Sequence, residues 1–246
     1  MAENKIQPHI QLSKVNRICF LCGNPDRVSR IASFLNEKEK IAENRGLIAF
    51  NGKTPNKNVP VTVLTTGMGC PSTAIILEEA FRAGGKVFIR IGSCGALKPG
   101  IRVGDIVIPH AAIRDERTSL NLAPVEFPAT SSPDIYQKLF ESAKKLNIEY
   151  YSGIVWTTDV YYSSNQDEYK NWARCGANSV EMESALIFIF GSVKGLEIGS
   201  ILVVDGNLAE GSQKSEETMG ERDEIFQKGE RNAIKIALKA IEELIV

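Results

Sequence analysis

KVFIRIGSCG, residues 86–95, places one arginine inside an otherwise apolar run and then passes straight into Gly-Ser-Cys-Gly. The short run of branched and aromatic residues reads as a strand, and the glycines after it read as a turn at its carboxyl end. In an open α/β sheet, ligands bind beyond the carboxyl ends of the strands. Arg90, between Ile89 and Ile91, does not suit a core, because a buried guanidinium needs an anionic partner. It either faces water from an edge strand or meets an anion.

Working outward, the same alternation repeats. RICFLC (17–22), VPVTVLTT (59–66), GDIVIPHAAI (104–113), IEYYSGIVWT (148–157) and IGSILVVDG (198–206) read as further strands. PDRVSRIASFL (25–35), residues 72–82, SPDIYQKLFESAKKL (132–146) and VEMESALIFIFG (180–191) have helical apolar spacing, and residues 215–246 suggest a long terminal helix. Alternating strands and helices predict a single α/β domain over residues 1–246, three-layered α/β/α around a mixed, largely parallel sheet. Residues 115–132 and 208–217 are irregular and polar, and are candidate lids.

Composition narrows the function classes. The 246 residues carry 29 Lys+Arg against 30 Asp+Glu, so no global field points to nucleic acid or a membrane surface. Five cysteines, an odd number, suit reduced thiols in a cytoplasm better than a disulfide framework. No apolar leader opens the chain, and the longest apolar stretch, ALIFIF, is far too short to span a bilayer. A soluble cytoplasmic protein is expected. Cys19-x-x-Cys22 has metal spacing but lies in a strand, where i and i+3 face opposite ways, so no metal is expected there.

Two more strand ends resemble the first. Gly23-Asn24-Pro25-Asp26-Arg27 joins a strand to a helix start, where exposed N–H groups and Arg27 suit an anion. An ordinary turn with a surface arginine fits it equally. Thr65-Thr66-Gly67-Met68-Gly69-Cys70 is the third such turn, and three of them suggest one shared pocket.

At this point the chain resembles the nucleoside phosphorylase family, which includes purine nucleoside phosphorylases and uridine phosphorylases, and it looks most like the short hexameric purine enzymes of apicomplexan type. The residues carrying the likeness are GNPDRV at Gly23, AENR at Ala42, TTGMGCPS at Thr65, IRIGSCGAL at Ile89, SGIVWTTDVYY at Ser152, VEMES at Val180 and ILVVDG at Ile201. The resemblance implies phosphate binding by Gly23, Arg27, Arg90 and Ser93, with Arg45 reaching in from a neighbouring subunit. It implies ribose contacts from Met68, Met182 and Glu183, with His9 serving the neighbour's site, and a base pocket of Cys94, Gly95, Tyr161 and Asp205. Asp205 would be the catalytic acid at purine N7. Phosphate would be the co-substrate, without a cofactor, and self-association would reach at least a dimer and extend to a trimer of dimers. Taken by their residue types alone, Glu183 reads as a helix-start carboxylate, His9 as a solvated histidine and Tyr161 as core.

The chemistry suits those roles. Phosphorolysis holds a dianion beneath a sugar carbon that becomes cationic, so several cationic and N–H donors are needed to place it. A carboxylate on the ribose hydroxyls favours that cation. Asn24 stands where the family usually has aspartate, Gly-Leu follows Arg45 instead of an acidic-aromatic pair, and the usual arginine partner of the catalytic aspartate is not evident, Arg222 being a candidate. Uridine phosphorylases carry a Gln and an Arg after the aromatic pair, whereas residues 163–167 (SSNQD) hold no arginine. That favours purines, inosine and guanosine before adenosine. Uridine phosphorylase is the alternative, with a nucleosidase or a non-catalytic nucleoside-binding protein behind it.

Overall fold

Along β1 (Ile18–Cys22), Cys19 and Leu21 enter one core cluster while Ile18, Phe20 and Cys22 enter another, so the sheet is covered on both faces. A strand buried on both sides reads as an unbroken apolar run, which is why ICFLC carries no polar residue. The computed structural model describes residues 6–163, 167–212 and 219–244. After β1 come α1 (Pro25–Ala32), β2 (Asn36–Asn44), β3 (Leu47–Lys53), β4 (Pro60–Thr65), α2 (Cys70–Arg82), β5 (Val87–Ala96) and β6 (Ile106–Asp115). Then follow β7 (Ala129–Thr130), α3 (Pro133–Lys145), β8 (Tyr150–Thr158), α4 (Glu168–Arg174), β9 (Ala177–Glu181), α5 (Ser184–Lys194), β10 (Glu197–Asn207) and α6 (Met219–Leu244).

The sheet is mixed. Its middle, β4-β1-β5-β10, is parallel throughout, and the β2–β3–β4 meander adds antiparallel strands at one edge. On the other side β10 pairs with β6, β6 with β8, β8 with β9, and β9 returns to β5. Those five strands therefore close on themselves as a small barrel. Residues of α2 and α5 pack in one cluster, and residues of α1, α3 and α6 in the other.

Sequence and structure differ at three points that shape the site. Gly-Ser-Cys-Gly is not a turn, because β5 runs on to Ala96, held by β10 on one side and β9 on the other. The start of VEMES belongs to β9, and the helix opens only at Ser184. The 115–132 segment is pinned, since Arg114 donates to the Ala123, Pro124 and Phe127 carbonyls at 2.5–2.9 Å and to Ser119 Oγ at 3.0 Å. Of the second candidate lid, Leu208–Glu210 forms a 3₁₀ turn, while residues 213–218 lie outside the described residues.

Candidate active site

The parallel strands β1, β4 and β5 deliver their carboxyl ends side by side, and the three glycine-bearing segments meet there. A Cβ on Gly23 would stand 3.1 Å from the Gly67 carbonyl oxygen, so the first and third turns touch through backbone. Gly67 and Gly69 take φ of 74° and 79°, a region costly for other residues. That conformation aims the Gly69 N–H inward, 2.6 Å from Glu183 Oε1.

Arg90 is buried with both of its partners. Its Nε donates to Glu181 at 3.1 Å and its Nη2 lies 2.5 Å from Glu183 Oε2. The guanidinium folds back over Gly92, where a Cβ would come 2.5 Å from Arg90 Cζ. This answers the question posed by an arginine in an apolar strand: it is core, and it is paired. Burial lowers the tendency of Arg90 to hold its proton, but the charges of Glu183 and Glu181 outweigh this and raise it.

Glu181 was not evident from sequence, and it explains Glu183. It sits at the end of β9 and takes the backbone N–H groups of Glu183 and Ser184 at 2.9–3.0 Å, together with the Thr157 hydroxyl at 2.6 Å. The helix-start carboxylate is therefore Glu181, not Glu183. Freed from capping, Glu183 reaches across to Gly69 and Arg90 instead. Burial pushes the Glu183 carboxyl above its ordinary range, helped by Glu181 and opposed by Arg90. A pair of acidic residues two apart before an apolar helix was the available signal.

Arg27 is also buried. Its Nε donates to Glu230 of α6 at 2.7 Å and its Nη1 reaches the Ile91 carbonyl at 3.5 Å. Arg30 grips the same carboxylate from the other side. Asn24, in the place of an aspartate, caps α1 by accepting from Asp26 N at 2.8 Å. Ser93 is half-buried on β5, one residue before Cys94.

Asp205 lies on a bulge. Opposite β5, Val204 pairs with Cys94 and Gly206 with Gly95, so Asp205 is the extra residue. Bulges re-aim a side chain next to active sites. Its charge is felt by Cys94, whose buried thiol is pushed up, and by Tyr161, whose phenol burial and Asp205 together raise. A Cβ on Gly95 would meet Leu208 Cδ1 at 2.7 Å, so any larger residue here would displace that side chain. Next to the bulge, Asn207 donates to the Lys98 and Ile101 carbonyls and accepts from Ala209 N, which fixes the turn that follows. The side chain of Arg222 is outside the described residues.

Other expected contacts are open to solvent within one chain. Tyr161 is 59% exposed and Met68 is 83% exposed, while Met182 is half-buried, its carbonyl accepting from the Cys70 thiol at 3.1 Å. His9 and Arg45 line an open groove of about 310 Å³ with Leu47, Gly67, Ser72, Ile75 and Ile76, so it adjoins the strand-end turns through Gly67. Glu79 holds the His9 ring at 2.5 Å, and Arg45 is exposed at the tip of the β2–β3 hairpin with φ 55°. Cys19 and Cys22 fall in opposite clusters, so they share no site.

The fold and the family it matches place the chain in an enzyme class, the nucleoside phosphorylases. The family model described as the Phosphorylase superfamily matches residues 17–242, and the chain belongs to that family. A guanosine phosphorylase of Halorubrum lacusprofundi is 35% identical over 97% of this chain and 99% of its own. The purine nucleoside phosphorylase of Toxoplasma gondii, solved with immucillin-H, superposes with a TM-score of 0.87 at 33% identity, covering 97% of this chain and 96% of that one. A uridine phosphorylase of Vibrio fischeri does so at 0.89 and 30%, over 96% and 97%. Nucleoside and phosphate are therefore the substrates, and relatives of both base preferences surround the chain.

Proposed function

We propose that this chain cleaves purine ribonucleosides with inorganic phosphate, inosine and guanosine ahead of adenosine, releasing free base and ribose 1-phosphate in cytoplasmic nucleoside salvage. The observation that carries the reading is Asp205 on its bulge beside Cys94 and Tyr161. A carboxyl there can protonate N7 of a departing purine, an atom that a pyrimidine lacks. Glu183 takes the ribose hydroxyls, with Met182 and Met68 shielding the sugar from water. Cys94, Gly95 and Tyr161 bound the base. No cofactor enters this chemistry.

Gly23, Ser93, Arg27 and Arg90 hold the phosphate. Each arginine has five N–H donors and spends only two on the contacts above, so donors remain for an anion. Charge is another matter. Three arginines (Arg27, Arg30, Arg90) face three glutamates (Glu181, Glu183, Glu230), a balance of zero. A dianion needs a further cation, and the exposed Arg45 of a neighbouring subunit supplies it, with that subunit's His9 at the 5′-hydroxyl. The active species is thus an oligomer, at least a dimer and most simply a trimer of dimers.

Uridine cleavage is the second reading, supported by the likeness to uridine phosphorylases. Against it stands residues 163–167, which offer no arginine to read a uracil edge. A nucleosidase would not need the arginines. The test is release of hypoxanthine from inosine with and without phosphate: release should require phosphate and yield ribose 1-phosphate, and release in its absence would make the chain a hydrolase.

A further inference from the structure

Beside the active site lies a grouping that the phosphorolysis does not use. Cys70 Sγ, a Glu116 carboxylate oxygen and an Asp159 carboxylate oxygen all lie within 4.8 Å of one another. Glu116 is 1% exposed, and its Oε1 has no hydrogen-bond partner among the described residues, although Oε2 accepts from Ser119 N at 2.9 Å. An orphaned carboxylate oxygen in the interior is costly and asks for a partner. Asp159 is exposed, accepts from Arg117 N at 3.0 Å, and leaves the cluster open to solvent on one side.

We propose that Cys70, Glu116 and Asp159 form a binding site for a soft divalent cation, with Zn²⁺ as its probe, and that occupation of this site lowers activity. A thiolate and two carboxylates with one open position suit zinc, which takes Cys sulfur and Asp/Glu oxygen in tetrahedral geometry. From the usual zinc bond lengths, ligands around one ion stand roughly 3.3–3.7 Å apart. The present spacing must therefore close by at most about an ångström, which the exposed Asp159 can supply. Burial and the charges of Glu116, Glu181, Glu183 and Asp159 keep the thiol protonated. The same field attracts a dication. On binding, the S–H bond breaks, sulfur bonds the metal and the proton leaves to solvent.

The link to activity is covalent neighbourhood. The Cys70 thiol now donates to the Met182 carbonyl at 3.1 Å, and Gly69, one residue before it, holds Glu183. Asp159 lies two residues before Tyr161. A cation drawing these segments together would remove the Met182 contact and shift both the sugar and the base walls.

Cobalt titration of the full-length protein in phosphate-free buffer tests binding independently of any nucleoside chemistry. One equivalent of Co²⁺ per chain should give a thiolate-to-metal charge-transfer band that is absent in Cys70→Ser and retained in Cys175→Ser, the exposed thiol. Zn²⁺ affinity by equilibrium dialysis should fall about tenfold or more in Glu116→Gln. The solvent-facing Asp159→Asn, whose fold is least at risk, should also weaken it. Zn²⁺ should inhibit phosphorolysis and a chelator should restore it. The absence of a stoichiometric band, its survival in Cys70→Ser, unchanged zinc affinity in Asp159→Asn, or full activity with zinc bound would each overturn the proposal.

Discussion

Arg90 Nη2 stands 2.5 Å from Glu183 Oε2, so the group proposed to hold phosphate and the group proposed to hold ribose are joined in one buried ion pair. Glu181 completes the arrangement from the other side of the guanidinium. Nucleophile and sugar are in this way referred to a single rigid unit, which suits a reaction whose rate depends on their alignment.

Removing that arginine should therefore do two things. Arg90→Ala leaves two carboxylates buried without their cation, and breaking such a pair costs about 3–5 kcal/mol. Chemical denaturation should show that loss, and the folded fraction should show a raised phosphate KM. Unchanged stability and unchanged phosphate KM would contradict the role.

Asp205→Asn keeps the shape of the bulge but cannot deliver a proton. Inosine phosphorolysis should fall by about 10² to 10⁴, the usual worth of positioned proton transfer. A ribose bearing a nitrophenol leaving group needs no such proton and should be spared. Equal losses on both substrates would reduce Asp205 to a supporting wall.

Glu230 predicts an acid-side stability limit. Burial pushes its carboxyl up, but the hydrogen bond from Arg30 and the charge of Arg27 outweigh this and hold it below its ordinary range. A carboxylate lowered in the folded state contributes stability above its unfolded pKa of about 4.3, and that stability is lost as pH falls through the lower folded value. The Tm of the unaltered protein should drop steeply below about pH 4. In Glu230→Gln the protein starts less stable and the acid slope should be shallower; parallel curves would exclude the linkage.

If Arg45 serves the neighbouring site, two defective subunits can repair one another. Co-expressed Arg45→Ala and Asp205→Asn chains place some intact Asp205 residues opposite an intact neighbouring Arg45. The mixed oligomer should exceed either parent in activity. Activity no higher than the parents, or an active monomer by light scattering, would remove Arg45 and His9 from the neighbour's site.

Much of this was legible in the chain itself, for a physical reason. Strands buried on both faces, such as β1 and β10, read as unbroken apolar runs, and helix starts such as Asn24-Pro25 carry their own caps. β2 (NEKEKIAEN) was not legible, because its first five residues are exposed and polar and show no alternation. The partners of the arginines were not legible either. Glu230 lies 203 residues from Arg27, and only the packing of α6 against the sheet brings them together. Asp205 could be singled out from VVDG, but its bulge depends on the register with β5, which no local pattern encodes. Glu181 and Glu183 look alike in sequence, and only the opening of α5 at Ser184 separates capping from reaching across.

Purine preference is measured most directly as kcat/KM for inosine, guanosine and uridine on one enzyme preparation at saturating phosphate. Inosine and guanosine should exceed uridine by at least about tenfold, a difference of roughly 1.4 kcal/mol in transition-state binding. Uridine equal to or above the purines would contradict it and assign Asp205 a role other than protonating N7.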